Sequence, residues 1–277
     1  MRRCIVALLL LGSPACASAP RAVAPTLAYA VPAVNPATYS VADTTTVAVR
    51  GGRGRSLDTS LGLAARAVIG MHTDSAGMLA SIRLEAVDGT FQAGGAVASQ
   101  VDSSSVSSGS ALLRMSPTGP DSTRYLPNLA TALSRFIGGE SFYYHFFARL
   151  PGGTAAPGTV WTDTLALTDA GGGVESRTET IISASFLGDT IINGRTLRVI
   201  ASRFTSSVVL SGIVDGMEVS QRLVGTGEAT TLWDDAASLM FSREETITST
   251  GTMDLPAAGL RAVPVEARTR RVVRLQQ

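Results

Sequence analysis

The sequence predicts a mainly β protein, a meander of antiparallel strands with little helix. Long segments alternate apolar and polar residues with a period of two, and turn residues separate these segments at short intervals. Gly, Ser, Thr, Ala and Val dominate the composition, which suits strands and turns better than helices. Sequential hairpins without a βαβ pattern indicate that the strands are antiparallel.

The chain begins with a segment typical of an export signal, residues 1–17. Two arginines precede an apolar stretch over 5–11, and a Gly-Ser-Pro sequence ends it. Two cleavage sites fit. Small residues at positions 15 and 17 favour cleavage before Ser18, whereas a lipobox-like sequence favours cleavage before Cys16, whose sulfur would then carry a lipid anchor. The expected location is the periplasm, the outer membrane as a lipoprotein, or the medium.

Residues 18–36 are rich in proline and small residues, which predicts a semi-extended linker. A single β-rich domain is expected over 37–277. Both cysteines, Cys4 and Cys16, precede that domain, so we expect no disulfide in its fold.

The amino-acid composition limits the ligands and reactions that this protein can be expected to have. The net charge is +1, which gives no general attraction to nucleic acid. All 23 basic residues are arginine, which excludes lysine-dependent catalysis and a P-loop. The two histidines, His72 and His145, are isolated: we expect a solvated turn residue and a packed core residue, with no metal site and no cofactor. No Gly-x-Ser-x-Gly elbow occurs, so we predict no catalytic residue and no enzyme.

Early strands are predicted over 61–69 and 78–86, with an apolar face and a polar face. Asp88-Gly89, Asn193-Gly194 and Asp215-Gly216 are predicted hairpin turns, because these residues tolerate positive φ. Later strands are predicted over 161–168, 174–187, 195–210, 217–232, 239–253 and 260–275.

The middle of the chain breaks this pattern. Residues 99–123 are rich in Ser, Gly, Pro and Thr, which predicts long loops around one weak strand. A helix is predicted from Pro127 to Ile137, where apolar residues follow helical spacing until a Gly-Gly pair. The next segment, 141–150, fits a helix or a strand.

Five aromatic residues lie between positions 142 and 147 and cannot all point the same way from a regular element. Two interpretations are open: a helix that plugs an open sheet, or one wall of an apolar ligand pocket. The candidate ligand-lining residues are Phe136, Phe142, Tyr143, Phe146, Phe147 and Trp161.

Arginines are frequent in the last strand. Val263, Val265 and Val273 share one parity, whereas Arg268 and Arg270 share the other. A solvated arginine face explains this pattern without any partner.

Three short motifs, over 150–164, 193–199 and 225–234, resemble the signatures of an uncharacterised bacterial family of secreted proteins and lipoproteins. Thr159 replaces an aspartate that is common in that family. The family is similar to the half-barrel fold of the lipoprotein carrier LolA and of mycobacterial lipid-binding lipoproteins. The resemblance implies a curved antiparallel sheet with one or two helices packed on its concave face and an apolar cavity between them. It implies no activity.

Three functions are compatible with these observations. The first is a non-enzymatic envelope module that binds an apolar or lipid-like molecule, with membrane anchoring if Cys16 is acylated. The second is an assembly component that binds another envelope protein through sheet edges and long loops. The third is a hydrolase without a recognisable motif, which the scarce histidines disfavour.

Overall fold

The computed structural model describes residues 24–50, 56–102, 109–128, 139–171, 173–214 and 216–276. It is mainly β and antiparallel, and its principal sheet curls into an open half-barrel, which confirms the predicted class. One short helix is described, so the prediction of one or two helices on the concave face is not confirmed.

The strands are long. They are β1 (Thr26–Leu27), β2 (Ala37–Arg50), β3 (Ser56–Asp74), β4 (Gly77–Ala93), β5 (Ala96–Val101), β6 (Ala111–Ser116), β7 (Gly119–Tyr125), β8 (Gly153–Thr154), β9 (Val160–Gly171), β10 (Val174–Ile192), β11 (Arg195–Val214), β12 (Met217–Asp234), β13 (Leu239–Leu255) and β14 (Leu260–Leu275). Helix α1 spans Gly139–Tyr144, and a 3₁₀ turn spans Pro256–Ala258.

Within the described ranges, twelve strands form one sheet in the order β7-β6-β4-β3-β2-β14-β13-β12-β11-β10-β9, with β5 paired to β4. A separate two-stranded sheet joins β1 to β8. Neighbours in the large sheet are mostly consecutive in sequence, as a meander requires. There are two exceptions: β6 pairs with β4 rather than with β5, and β14 returns to pair with β2, which joins the first and last parts of the chain.

The period-two pattern places one parity of each strand on the concave face and the other on the outer face. On β14, Val263, Val265 and Val273 are buried at 5%, 3% and 1% exposure. Arg268 and Arg270 lie on the outer face, where they are exposed. The predicted solvated arginine face is therefore confirmed.

Of the hairpin turns predicted from turn-forming residues, the structure confirms one over 193–194 and contradicts one over 88–89. Asn193 and Gly194 adopt positive φ, 51° and 77°, between β10 and β11, as predicted. Asp88 and Gly89, in contrast, lie inside β4, and the predicted turn is wrong. Gly89 is paired with Leu63 on one side and Val101 on the other, so backbone pairing on both sides overrides the local turn preference.

Two irregular regions are more ordered than expected. The segment 99–123 contributes to β5, β6 and β7 rather than to one weak strand between loops. Residues 24–36 were expected in a linker but pack on the domain, with Leu27 and Tyr29 at 0% and 5% exposure. The rest of that linker, the signal segment and Cys16 lie outside the described residues, as does most of the predicted 127–137 helix.

Residues 139–150 form the plug segment, which begins with α1. Its aromatic side chains and Leu150 pack into a core formed by inward residues of the sheet. The rings of Phe142 and Phe146 meet edge to face at 5.4 Å, and Tyr29 meets both Phe147 and Trp233 in the same manner. The interpretation of 141–150 as a plug on the sheet is therefore supported by its packing.

Candidate functional site: a charge cluster on the concave face

Five ionisable side chains meet near the middle of the concave face: Asp43, Arg243, Glu245, Arg271 and His145. We call them the charge cluster. Asp43 on β2 is paired in register with Arg271 on β14, and Arg271 is paired in register with Glu245 on β13. Because strands alternate faces, these three residues share the inward parity of the apolar residues around them.

The arginines bind the carboxylates directly. The Arg271 guanidinium donates from Nε to Asp43 Oδ2 at 2.8 Å, and both side chains are 12% exposed. Arg243 donates from Nη2 to Glu245 Oε2 at 2.6 Å and from Nη1 to Thr231 Oγ1 at 3.2 Å. Charge-assisted hydrogen bonds of this kind are the strong ones in proteins.

His145 brings the plug segment to the cluster. Its Nδ1 lies 3.3 Å from Glu245 Oε1, and Glu245 itself is buried. The imidazole is about one-third exposed, so the expected packed core histidine is packed only on part of its surface.

Neighbouring charges set the protonation of this pair. Burial alone raises the pKa of Glu245, but Arg243, His145 and Arg271 outweigh it and hold the pKa well below its usual range. Burial lowers the pKa of His145, and Arg271 lowers it further against the opposing effect of Glu245. At neutral pH the cluster therefore holds two carboxylates, two guanidiniums and a neutral imidazole.

Two cluster atoms, Asp43 Oδ1 and Arg271 Nη1, are buried without a hydrogen bond. A buried polar atom that lacks a partner costs roughly 1–3 kcal/mol. Burial of ion pairs also often gives no net stability compared with apolar residues of similar volume. Folding alone does not explain why this sheet carries the cluster.

Sequence analysis missed this cluster, although a signal for it exists. Arg271 shares its parity with Val263, Val265 and Val273, so it is a charge on a strand face that is otherwise apolar. Asp43 beside Val41, and Glu245 beside Ile247, show the same conflict. A search for charges on predicted inward faces would have found all three.

The concave face continues beyond the cluster toward the hairpin that follows β2. It is lined there by inward side chains that are buried or half-buried and mostly apolar: Val47, Val49, Leu61, Leu223, Ile247, Val263 and Val265. The charge cluster thus lies between this apolar surface and the aromatic core around the plug segment.

The predicted ligand-lining aromatics lie mainly in the core. Phe142, Tyr143, Phe146 and Phe147 are at most 5% exposed. The cavity beside Phe146 and Phe147 has a volume of only about 10 Å³. Trp161 is partly buried and donates from Nε1 to the Arg149 carbonyl oxygen at 3.1 Å. Phe136 lies outside the described residues, and a ligand-lining role for the whole set stays a prediction.

Two larger concavities lie on the outer face. One of about 570 Å³ crosses β10 to β13 and is lined by Ile181, Ser183, Arg203, Phe204, Thr205, Thr226, Gly227, Glu228, Thr246 and Thr248. The other, about 490 Å³, is lined chiefly by residues of β2, β3 and β14. Both are open troughs with mixed polar and apolar walls.

Elsewhere, His72 is exposed near the β3–β4 hairpin, as predicted. The described residues contain no group of three or more His, Cys, Asp or Glu placed to hold a metal ion. In the same ranges, no helix combines the length and apolarity needed to cross a membrane.

No family model and no curated protein matches this chain. Solved structures that align with it include Neisserial surface protein A (8% identity, 85% of this chain and 95% of that one, TM-score 0.25). Salmonella typhi OmpF aligns at 8% identity over 85% and 96%, with a TM-score of 0.26. A loop L8 deletion mutant of OmpT, an outer membrane protein of Vibrio cholerae, aligns at 8% identity over 85% of this chain and 98% of that one, with a TM-score of 0.15. Likeness at this level carries no conclusion for this chain, and the resemblance to LolA-like carriers stays a prediction.

Proposed function

We propose that this protein is an exported envelope protein that binds an apolar or lipid-like molecule without chemical change. The observation that carries the proposal is the charge cluster set in an apolar concave face, with buried polar atoms that folding leaves unpaired. An amphiphile matches such a surface, because its chains would contact Val47 and Leu61 while its polar group faces Arg271 and Asp43.

The outer face supports this orientation. Charged residues lie midway along its strands, among them Arg203, Glu228 and Arg270. A surface that contacts hydrocarbon is apolar, so these charges favour water at their own positions, between the exposed apolar side chains of Ile181, Val209 and Val224 on the same face.

The test is native mass spectrometry of the mature protein purified from bacterial membranes and periplasm. We expect a non-covalent additional mass of lipid size. Val47→Arg places a charge on the concave face and should abolish that mass, whereas Thr46→Arg, its outward neighbour on β2, should retain it. Circular dichroism confirms that both variants fold. A ligand-free wild type, or a Val47→Arg variant that keeps the mass, would refute the proposal.

A second candidate, an assembly component, is favoured by the filled aromatic core and by the outer trough across β10 to β13. Ile181 in that trough is 53% exposed, and Arg203 faces Glu228 across the strands without an ion pair in the described part of the chain. A ligand-free mass together with crosslinks from trough residues to an envelope protein would support this candidate.

A further inference from the structure

The plug segment connects β7 and β9, the two edge strands at the ends of the sheet order. Near its start, Glu140 accepts a hydrogen bond from Thr123 on β7, and the Glu140 backbone donates to Asp169 on β9. Near its end, Arg149 donates to Asp163 on β9 and to the Pro120 carbonyl on β7. These two attachments join β7 and β9, which otherwise are opposite ends of the open half-barrel.

Between these attachments, the middle of the segment is held over the charge cluster. His145 contacts Glu245 of β13, and Arg243 of the same strand and Arg271 of β14 also act on its charge. Asp43 of β2 lies behind Arg271, to which it is bonded. These are the charged groups that face His145 from the sheet.

The segment itself adds no charge beside His145. Tyr143 and Tyr144 precede it, and burial raises the pKa of each phenol to about 12, so both are neutral at physiological pH. The charged groups of the segment, Glu140 and Arg149, are bonded near its two ends.

The net charge of the cluster is zero only while His145 is neutral. Asp43 and Glu245 contribute two negative charges, and Arg243 and Arg271 contribute two positive charges. A proton on His145 leaves one net positive charge in a mostly buried site next to two guanidiniums. Burial and the two guanidiniums disfavour this charge more than Glu245 favours it, and the penalty falls if the imidazole moves further into water.

We propose that the plug segment is an acid-sensitive closure: protonation of His145 weakens its docking on the sheet and exposes the aromatic side chains of the segment itself. The released surface would include Phe142, Phe146 and Phe147, which are buried in the docked state. This device is independent of the proposed ligand, because it depends only on contacts between the segment and the sheet.

The direction of the pH effect follows from linkage. In a released segment His145 titrates near its ordinary pKa of 6.5, whereas docking lowers that pKa. The released state therefore binds more protons, and docking weakens as the pH falls from 6.5 through the docked pKa. Each unit by which docking lowers the pKa increases the released fraction about tenfold below that range.

The test is hydrogen exchange of the full mature protein between pH 7.5 and 5.0, corrected for the intrinsic rate. We expect residues 139–150 to lose protection as the pH falls while β11 to β13 keep theirs. His145→Gln should remove this pH dependence and His72→Gln, an exposed control, should retain it. Equal pH dependence in His145→Gln, or loss of protection in the sheet together with the segment, would overturn the proposal.

A second measurement does not depend on any variant. The chain has only two histidines, so two imidazole signals are expected in a proton NMR titration of the wild type. We expect the His145 signal to titrate below 6.5. A His145 that titrates at or above 6.5 would show that docking does not oppose its protonation, and would refute the closure.

Discussion

Strand β14 carries arginines on both faces, and the two sets are solvated differently. Arg271 points to the concave face, where it is 12% exposed and bonded to an equally buried Asp43. Arg270 points outward, where it is 63% exposed and bonded to Glu244 at 2.6 Å. Both pairs join an arginine to a carboxylate, so any difference in their contribution to the free energy of unfolding comes from their surroundings.

The comparison shows that position on a strand decides what an ion pair does. An exposed pair gains little, because water already stabilises each charge. In a buried pair, the attraction between the charges only about offsets the cost of removing them from water. Removal of one partner is nevertheless strongly destabilising, because it leaves the other charge buried and unpaired. The outward pair is therefore expected to add little stability, whereas loss of Arg271 would leave Asp43 buried without its cation.

The largest expected effect comes from removing one buried partner. Arg271→Met keeps most of the side-chain volume but leaves Asp43 without its cation, and we expect a loss of about 3–5 kcal/mol of unfolding free energy. Urea denaturation of the mature protein measures it. The matched outward variant, Arg270→Met, should lose no more than about 1 kcal/mol.

A double variant sharpens the same comparison. Arg271→Met with Asp43→Leu removes a balanced pair and leaves Arg243 with Glu245, so it should be more stable than Arg271→Met alone. If the inward and outward single variants lost equal stability, the proposed difference between the two faces would be wrong.

A smaller effect is expected from the packing of the concave face. Gly227 on β12 is paired with Phe204 on β11, and a Cβ at Gly227 would lie 2.3 Å from Phe204 Cε2. The same Cβ would lie 2.6 Å from the Thr246 backbone oxygen. Gly227→Ala therefore forces both the ring and the backbone to move, and we expect a loss of about 1–3 kcal/mol in urea denaturation.

The outward glycine of β3 provides the control. A Cβ at Gly62 would meet no atom within 4 Å, and the backbone there is not in the left-handed region. Gly62→Ala should therefore be neutral or stabilising by up to about 1 kcal/mol, because alanine restricts the unfolded chain. A Gly227→Ala variant as stable as the wild type would show that the ring has room to move.

The smallest effect concerns acid stability. Since the pKa of Glu245 is held well below 4.5 in the fold, its contribution is present above pH 4.5 and is lost as the pH falls through the folded pKa. Glu245→Gln should flatten the fall of the urea midpoint below pH 4.5. Equal slopes in the wild type and in Glu245→Gln would contradict the assignment.

Most of the sheet follows from residue patterns. Strands over 61–69 and 260–275, and the Asn193-Gly194 turn, were predictable because alternation and turn chemistry are local properties. The charge cluster was not predicted, since Asp43 and Arg271 are 228 positions apart in sequence and meet only when β14 pairs with β2.

The sequence by itself determined the class of fold, the two faces of most strands, the absence of lysine and the scarcity of histidine. Only the tertiary structure decided that Asp88-Gly89 continues a strand, that residues 24–36 pack on the domain, and that His145 meets Glu245. The physical reason is the range of the interactions. Side-chain period and turn preference act over a few residues, whereas strand pairing and the burial of charge depend on contacts between distant parts of the chain.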